Sequence, residues 1–229
     1  MPPSITTPLL APVGINEMQN IDLLGAQTYV VIKNQILFRQ EGGGYVITAI
    51  NPNDSYTIAD YKQLPEKAPY ELIKGKLVFM PTPVVYHQRI CLRMSAAMQQ
   101  YANSRALGEV FIAPLDVYLD AENVFQPDVF FIAKERSAIV QRFIQGAPDV
   151  VIEVLSAHTR LYDRQEKAMV YCSSGVKEYW IIDPEEKTVA LFQFERGEPA
   201  LKKQLRSPDE AMVSAVLEGF TILLKEIFA

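Results

Sequence analysis

Two acidic residues interrupt apolar, β-branched runs: Asp128 in Gln-Pro-Asp-Val-Phe-Phe-Ile and Glu153 in Asp-Val-Val-Ile-Glu-Val-Leu-Ser. Desolvating a carboxylate in such a run is expensive, so each must be paired with a cation, protonated or bound to a metal. Strand side chains alternate faces, which groups Glu153 with Val151 and Leu155 and sets Val150, Ile152 and Val154 opposite. Both faces are apolar, the pattern of a central strand. By the same rule Asp128 shares a face with Phe130 and Ile132. On neighbouring strands the two carboxylates stand one strand spacing apart, roughly 4.8 Å. Magnesium, with oxygen bonds of about 2.0–2.1 Å, bridges that gap.

Hard oxygen donors suit magnesium or manganese, and the absence of Cys/His clustering disfavours zinc. A metal so held acidifies a bound water and neutralises charge growing on a phosphoryl oxygen during in-line attack. A nearby lysine adds a fixed positive charge. Lys167, one turn beyond Asp163 on the helix expected after the Glu153 strand, is the candidate. The same pair also reads as a surface i,i+4 contact worth only about 0.3–0.5 kcal/mol, and spacing alone leaves both readings open.

The elements that must position these groups follow from periodicity and turn chemistry. Thr28–Arg39 and Tyr45–Ile50 read as strands of a small appendage over residues 1–56, joined through Glu41-Gly42-Gly43-Gly44. That glycine triplet leads into β-branched residues rather than a helix start, which argues against a phosphate loop. A main domain over 57–229 opens with a Thr57/Asp60 capping pattern and a short helix ending near Pro65. Tyr70–Met80 alternates about Lys74-Gly75 as a hairpin. Ile90, Cys91, Met94, Ala97, Met98 and Tyr101 recur at helical steps until Gly108, with His87 on the apolar side as packing residue or site residue. Phe111–Leu119 and Val124–Ala133 flank Asp120–Asn123 as an antiparallel hairpin with Asp128 on its second arm. Strand 150–155, helix 160–173 stopped by Gly175, and strand 178–182 form a βαβ unit. A strand over Thr188–Phe194, a charged turn region and a closing segment over 217–228 complete the count.

The 229 residues are 49% hydrophobic and 21% charged, ordinary for a globular chain, and the net charge of −5 argues only weakly against nucleic acid, since a local basic stripe suffices for binding. The two cysteines, Cys91 and Cys172, lack zinc or disulfide spacing and read as reduced core or helix-face thiols. With no long uncharged apolar run, no membrane association is expected, and the predicted location is cytoplasmic.

Several segments together resemble a known family: Tyr-Glu-Leu-Ile-Lys-Gly-Lys-Leu-Val at 70–78, His87, Gln-Pro-Asp-Val at 126–129, Pro-Asp-Val-Val-Ile-Glu-Val-Leu-Ser at 148–156, Tyr-Asp-Arg-Gln-Glu-Lys at 162–167, and Gly-Val-Lys-Glu-Tyr-Trp-Ile-Ile-Asp-Pro at 175–184. The chain resembles the Uma-two family of restriction-endonuclease-like proteins, within the PD-(D/E)XK nuclease superfamily, over about residues 57–229. The resemblance implies an α/β fold with a mixed central sheet flanked by helices. It implies Asp128 and Glu153 as metal ligands, Lys167 as the catalytic lysine carried on the helix, and Glu71 and His87 lining the same site. Leu155 stands two residues after Glu153, where the superfamily's commonest form has lysine. The implied function is magnesium-dependent hydrolysis of DNA phosphodiester bonds, with DNA as partner and a homodimer as a candidate assembly. The alternative is a non-catalytic nuclease-fold module that binds nucleic acid or a protein. A glycosidase is disfavoured, because few aromatic residues flank the acids and the lysine would have no task.

Overall fold

The computed structural model describes residues 29–32, 35–39, 45–49, 54–64, 68–156, 160, 162–195 and 197–229. Two compact units meet between Asp54 and Ser55, and each is described by itself. In the first, β1 (Tyr29–Ile32), β2 (Gln35–Arg39) and β3 (Tyr45–Ala49) form an antiparallel sheet in that order. The single strand expected over Thr28–Arg39 is two strands, because Ile32 pairs with Gln35 and the run doubles back. Lys33-Asn34 was the polar break that signalled this. The glycine triplet at 42–44 lies outside the described residues.

The second unit opens with α1 (Ile58–Tyr61), which is shorter than expected; Asp60 Oδ2 accepts both the N–H and the hydroxyl of Thr57 at 2.8 Å. A hairpin of β4 (Tyr70–Ile73) and β5 (Lys76–Phe79) turns on Lys74 and Gly75, whose φ angles of 48° and 71° are those of a tight hairpin turn. The helical periodicity becomes α2 (Val85–Arg105), burying His87, Ile90, Cys91, Met94, Met98 and Ala102 on one face. It stops at left-handed Ala106 rather than at Gly108.

Gly108 instead begins β6 (Gly108–Ile112), followed by β7 (Val117–Asp120), β8 (Asn123–Phe125) and β9 (Val129–Ala133). The long antiparallel hairpin expected here is paired at its tip, where β7 meets β8 and Asp120 pairs with Asn123, and at its base, where β6 meets β9. Each arm is cut at a proline, Pro114 and Pro127, which cannot donate to a ladder. As a result β7 and β8 join one sheet and β6 and β9 another.

After β10 (Ile144–Gln145) come β11 (Val150–Val154), a π-helical turn (Tyr162–Glu166), α3 (Lys167–Ser174) and β12 (Glu178–Asp183). β11 and β12 are parallel, the crossover expected from the sequence, and Gly175 caps α3 at φ 92°. The chain continues through β13 (Thr188–Glu195), β14 (Glu198–Leu205), β15 (Ala211–Val213), β16 (Thr221–Leu223) and α4 (Leu224–Phe228). The charged stretch expected to be a turn is β14, an edge strand, where Pro199 and exposed polar side chains are tolerated.

The six-stranded mixed sheet runs β14-β13-β12-β11-β9-β6 and the five-stranded sheet β10-β7-β8-β4-β5. One face of β11, through Val150, Ile152 and Val154, packs with Ile90, Met94 and Met98 of α2. The other face, through Val151 and Leu155, packs with Ala168 and Tyr171 of α3 and with Val117 and Phe125 of the five-stranded sheet. The α/β class with a mixed central sheet between helices is therefore the observed one.

Gly108 fixes how closely β6 approaches β9: at φ 151°, an added Cβ would lie 2.1 Å from the Ile132 carbonyl oxygen. Gly108→Ala is expected to lower stability by about 1–3 kcal/mol in urea unfolding; a midpoint equal to wild type would contradict this packing.

Candidate metal and ammonium site

Glu153 occupies the place that strand alternation assigns to it, on the α3 side of β11 between Val151 and Leu155, and is 3% exposed. Its Oε1 accepts hydrogen bonds from the Lys167 ammonium at 3.0 Å and the Tyr171 hydroxyl at 2.8 Å. Its Oε2 accepts a longer one, 3.3 Å, from the Asp128 N–H. Oε1 is thus engaged twice by charge and hydroxyl, while Oε2 faces Asp128.

Asp128 adjoins Glu153 but is not a strand residue. It sits at the junction between β8 and β9, just past Pro127 and one residue before Val129. There the Val154 N–H donates to its Oδ2 at 2.8 Å, and His87 Nε2 lies 3.2 Å from the same oxygen. A ladder position would have sent the side chain across one sheet face; the junction bends it over the end of β11 instead. Its side chain remains 18% exposed, against 9% for His87, so this is where the site meets solvent.

Lys167 points back over the strand, as its long stem allows. Its Nζ lies 3.0 Å from Glu153 Oε1, 2.8 Å from Glu71 Oε2 and 3.3 Å from Asp163 Oδ1. The Asp163–Lys167 pair is therefore real but buried, contrary to the surface alternative. The π-helical turn that contains Asp163 ends at the residue before Lys167, and such turns recur at functional sites. Glu71, on β4 between β5 and β8, is wholly buried; the Gln126 N–H donates to its Oε1 at 2.6 Å. Both Glu71 oxygens lie against the ammonium, Oε1 at 3.1 Å and Oε2 at 2.8 Å.

Charges at this point do not balance. Three buried carboxylates surround one ammonium, with Asp128 beside them. Burial pushes the Glu153 carboxyl well above the usual range, against the pull of Lys167, and pushes Glu71 up for the same reason. Burial works against the Lys167 ammonium, but Glu153, Glu71 and Asp163 outweigh it and hold it well above the ordinary lysine value. For His87, burial is likewise outweighed, here by the hydrogen bond and charge of Asp128, and its net shift is upward. The excess of carboxylate over cation suits a proton or a divalent ion.

Sequence reasoning missed Tyr171 and the depth of Asp163. The signal was spacing, since Asp163, Lys167 and Tyr171 recur every fourth residue. Other buried acids are satisfied structurally. Asp149, at the far end of β11, takes the Ala133 N–H at 2.8 Å, Arg136 at 3.2 Å and Lys177 at 2.7 Å. Asp183, ending β12, holds Arg160 at 2.6 Å and Arg164 at 3.0 Å. Glu178 binds Ser214 and the Ala215 N–H, each at 2.7 Å. Arg160, Arg164 and Arg136 are thus engaged by aspartates, and Lys134 is exposed.

The Uma2 family model, described as "Putative restriction endonuclease", matches residues 58–225. A solved structure described as a "putative nuclease belonging to DUF820" from Anabaena variabilis matches with a TM-score of 0.65 at 22% identity, over 75% of this chain and 97% of its own. That likeness establishes the fold. The type IIG restriction endonuclease BpuSI matches with a TM-score of 0.33 at 17% identity, over 66% of this chain and 16% of its own, too low to argue from. No curated protein matches.

Glu71, Glu153 and His87 hold their protons more tightly folded than unfolded. Their contribution to stability is full at low pH and is lost as pH rises past the ordinary 4.5 of glutamate and 6.5 of histidine toward the raised folded values. Lys167 contributes fully below 10.5, and the depressed Asp149 and Asp183 lose their contributions only as pH falls below 3.8. The melting temperature of metal-free protein is therefore expected to fall between about pH 5 and about pH 8. Calorimetry across that window checks this, and a melting temperature that rises overturns it.

Proposed function

The chain belongs to the Uma2 family, and from that premise we propose that residues 57–229 form a divalent-metal-dependent endonuclease that hydrolyses DNA phosphodiester bonds. One observation carries the reading: Glu153 and Asp128 adjoin at a cluster where carboxylates outnumber cations. These residues fit a hard cation, with Asp128 and Glu153 as its holders and magnesium, or manganese, as the ion that oxygen donors select. Such an ion supplies an acidified water and charge neutralisation at a phosphoryl oxygen.

The chain's own groups have separable tasks. Tyr171 and Lys167 both bind Glu153 Oε1, which fixes the carboxylate and leaves Oε2 turned to Asp128. The Val154 N–H and His87 hold Asp128 by Oδ2. Lys167, kept protonated by its acidic neighbours, serves as a fixed positive charge and not as a base. Its reach to Glu153 from α3 answers the absence of lysine at Leu155. Glu71 and Asp163 are positioning residues that hold the ammonium.

DNA as substrate implies work in the cytoplasm; among the described residues, no helix is long and apolar enough to cross a membrane.

Supercoiled plasmid incubated with Mg2+ is expected to be nicked or linearised. Lys167→Ala should slow this by roughly 10²-fold or more, and Glu153→Ala should also abolish the calorimetric heat of Mg2+ binding. Absence of both cleavage and metal heat in the wild type would leave a passive module as the surviving interpretation.

A further inference from the structure

The sequence shows no Cys/His clustering, yet the fold creates one beside Asp128. His87 and Cys91 lie one turn apart on the buried face of α2, so both side chains project the same way. Cys91 Sγ is 3.5 Å from His87 Nδ1, and His87 Nε2 is 3.2 Å from Asp128 Oδ2. One ligand atom from each of the three residues lies within 4.8 Å of the other two. From these contacts we propose that His87, Cys91 and Asp128 form a binding site for a thiophilic divalent ion of the Zn2+ class, sharing Asp128 with the Glu153 side but adding nitrogen and sulfur donors.

The donor set is what selects such an ion. A thiolate and an imidazole favour zinc or cobalt over magnesium, which takes oxygen ligands. Bonds of about 2.0–2.3 Å to nitrogen, oxygen and sulfur set tetrahedral ligand separations of about 3.4–3.6 Å. The two short contacts use opposite ring nitrogens, so an ion takes only one of them, and the imidazole must turn to bring that nitrogen toward both Cys91 and Asp128 as ligand atoms now within 4.8 Å of one another close to that figure. Asp128 is already fixed by the Val154 N–H at 2.8 Å, and it is the solvent-reaching member. Binding breaks the Cys91 S–H bond: the sulfur keeps the electron pair for the metal and the proton leaves to solvent, so affinity rises with pH. An ion held here takes Asp128 away from Glu153, so Zn2+ is expected to oppose Mg2+ in any reaction that needs both carboxylates.

The site can be tested without DNA. Co2+ titrated into the purified full-length protein under a non-chelating reductant is expected to produce thiolate-to-cobalt charge-transfer absorption in the near ultraviolet. Zn2+ should abolish it, whereas Mg2+, competing only through the shared Asp128, should move the titration to higher Co2+ without removing the band at saturation. Cys91→Ser should remove the band, whereas Cys172→Ser, at the free cysteine on α3, should keep it. His87→Gln should weaken Co2+ binding about tenfold or more. Circular dichroism of each variant separates loss of site from loss of fold. No band in the wild type, or an unchanged band in folded Cys91→Ser, overturns the proposal. Because the readout is spectroscopic, this outcome is independent of whether the protein cuts DNA.

Discussion

A buried ammonium ringed by three carboxylates is the constraint on which the rest of this structure depends. Glu71 comes from β4, Glu153 from β11, and Asp163 and Lys167 from the crossover helix, so one charged cluster ties the five-stranded sheet, the six-stranded sheet and α3 together. Such a cluster is a weak source of net stability. Replacing buried ion pairs by well-packed apolar groups is often neutral or favourable, whereas deleting one partner strands a charge at a cost of about 3–5 kcal/mol. Here the carboxylates also exceed the ammonium, which an arrangement selected for stability alone would avoid. The apolar packing on both faces of β11 supplies the stability that this cluster does not.

How much of this was legible in the sequence depends on the range of each signal. The orientation of Glu153 was readable because a strand has a strict period of two and both of its faces are apolar, so no other assignment fits. The crossover helix, its glycine stop and the two parallel strands were readable for similar local reasons. Asp128 was correctly placed beside Glu153 but wrongly placed on a strand. Pro127 ends the ladder one residue earlier, and that break is what bends the carboxylate over the end of β11.

What stayed hidden was set by burial and by long-range pairing. The Asp163–Lys167 spacing is identical for a solvated surface pair and a buried one, and only the packing of α3 on the sheet distinguishes them. Glu71 entered only through the family resemblance, since nothing nearby announces that β8 pairs with β4 at Leu72 and Val124 and closes over it. The splitting of the expected long hairpin between two sheets had a local sign in Pro114 and Pro127, but which sheet each half joins is a tertiary matter. In β14 the polar composition that resembled a turn belongs to a strand whose outer edge is unpaired.

Asp128 is the residue on which two chemistries meet. Toward β11 its backbone N–H donates to Glu153 Oε2, on the oxygen-rich side proposed above for a hard ion. Toward α2 it faces imidazole and, beyond it, a thiol, an environment for softer ones. Because its carboxylate is carried on a junction, held at Oδ2 by the Val154 N–H and by His87, it can move without disturbing a ladder. Glu153, locked on its strand and doubly bound at Oε1, has no such latitude. Under both proposals the choice between ions therefore falls to Asp128, the acid of this cluster that lies outside a strand and reaches solvent.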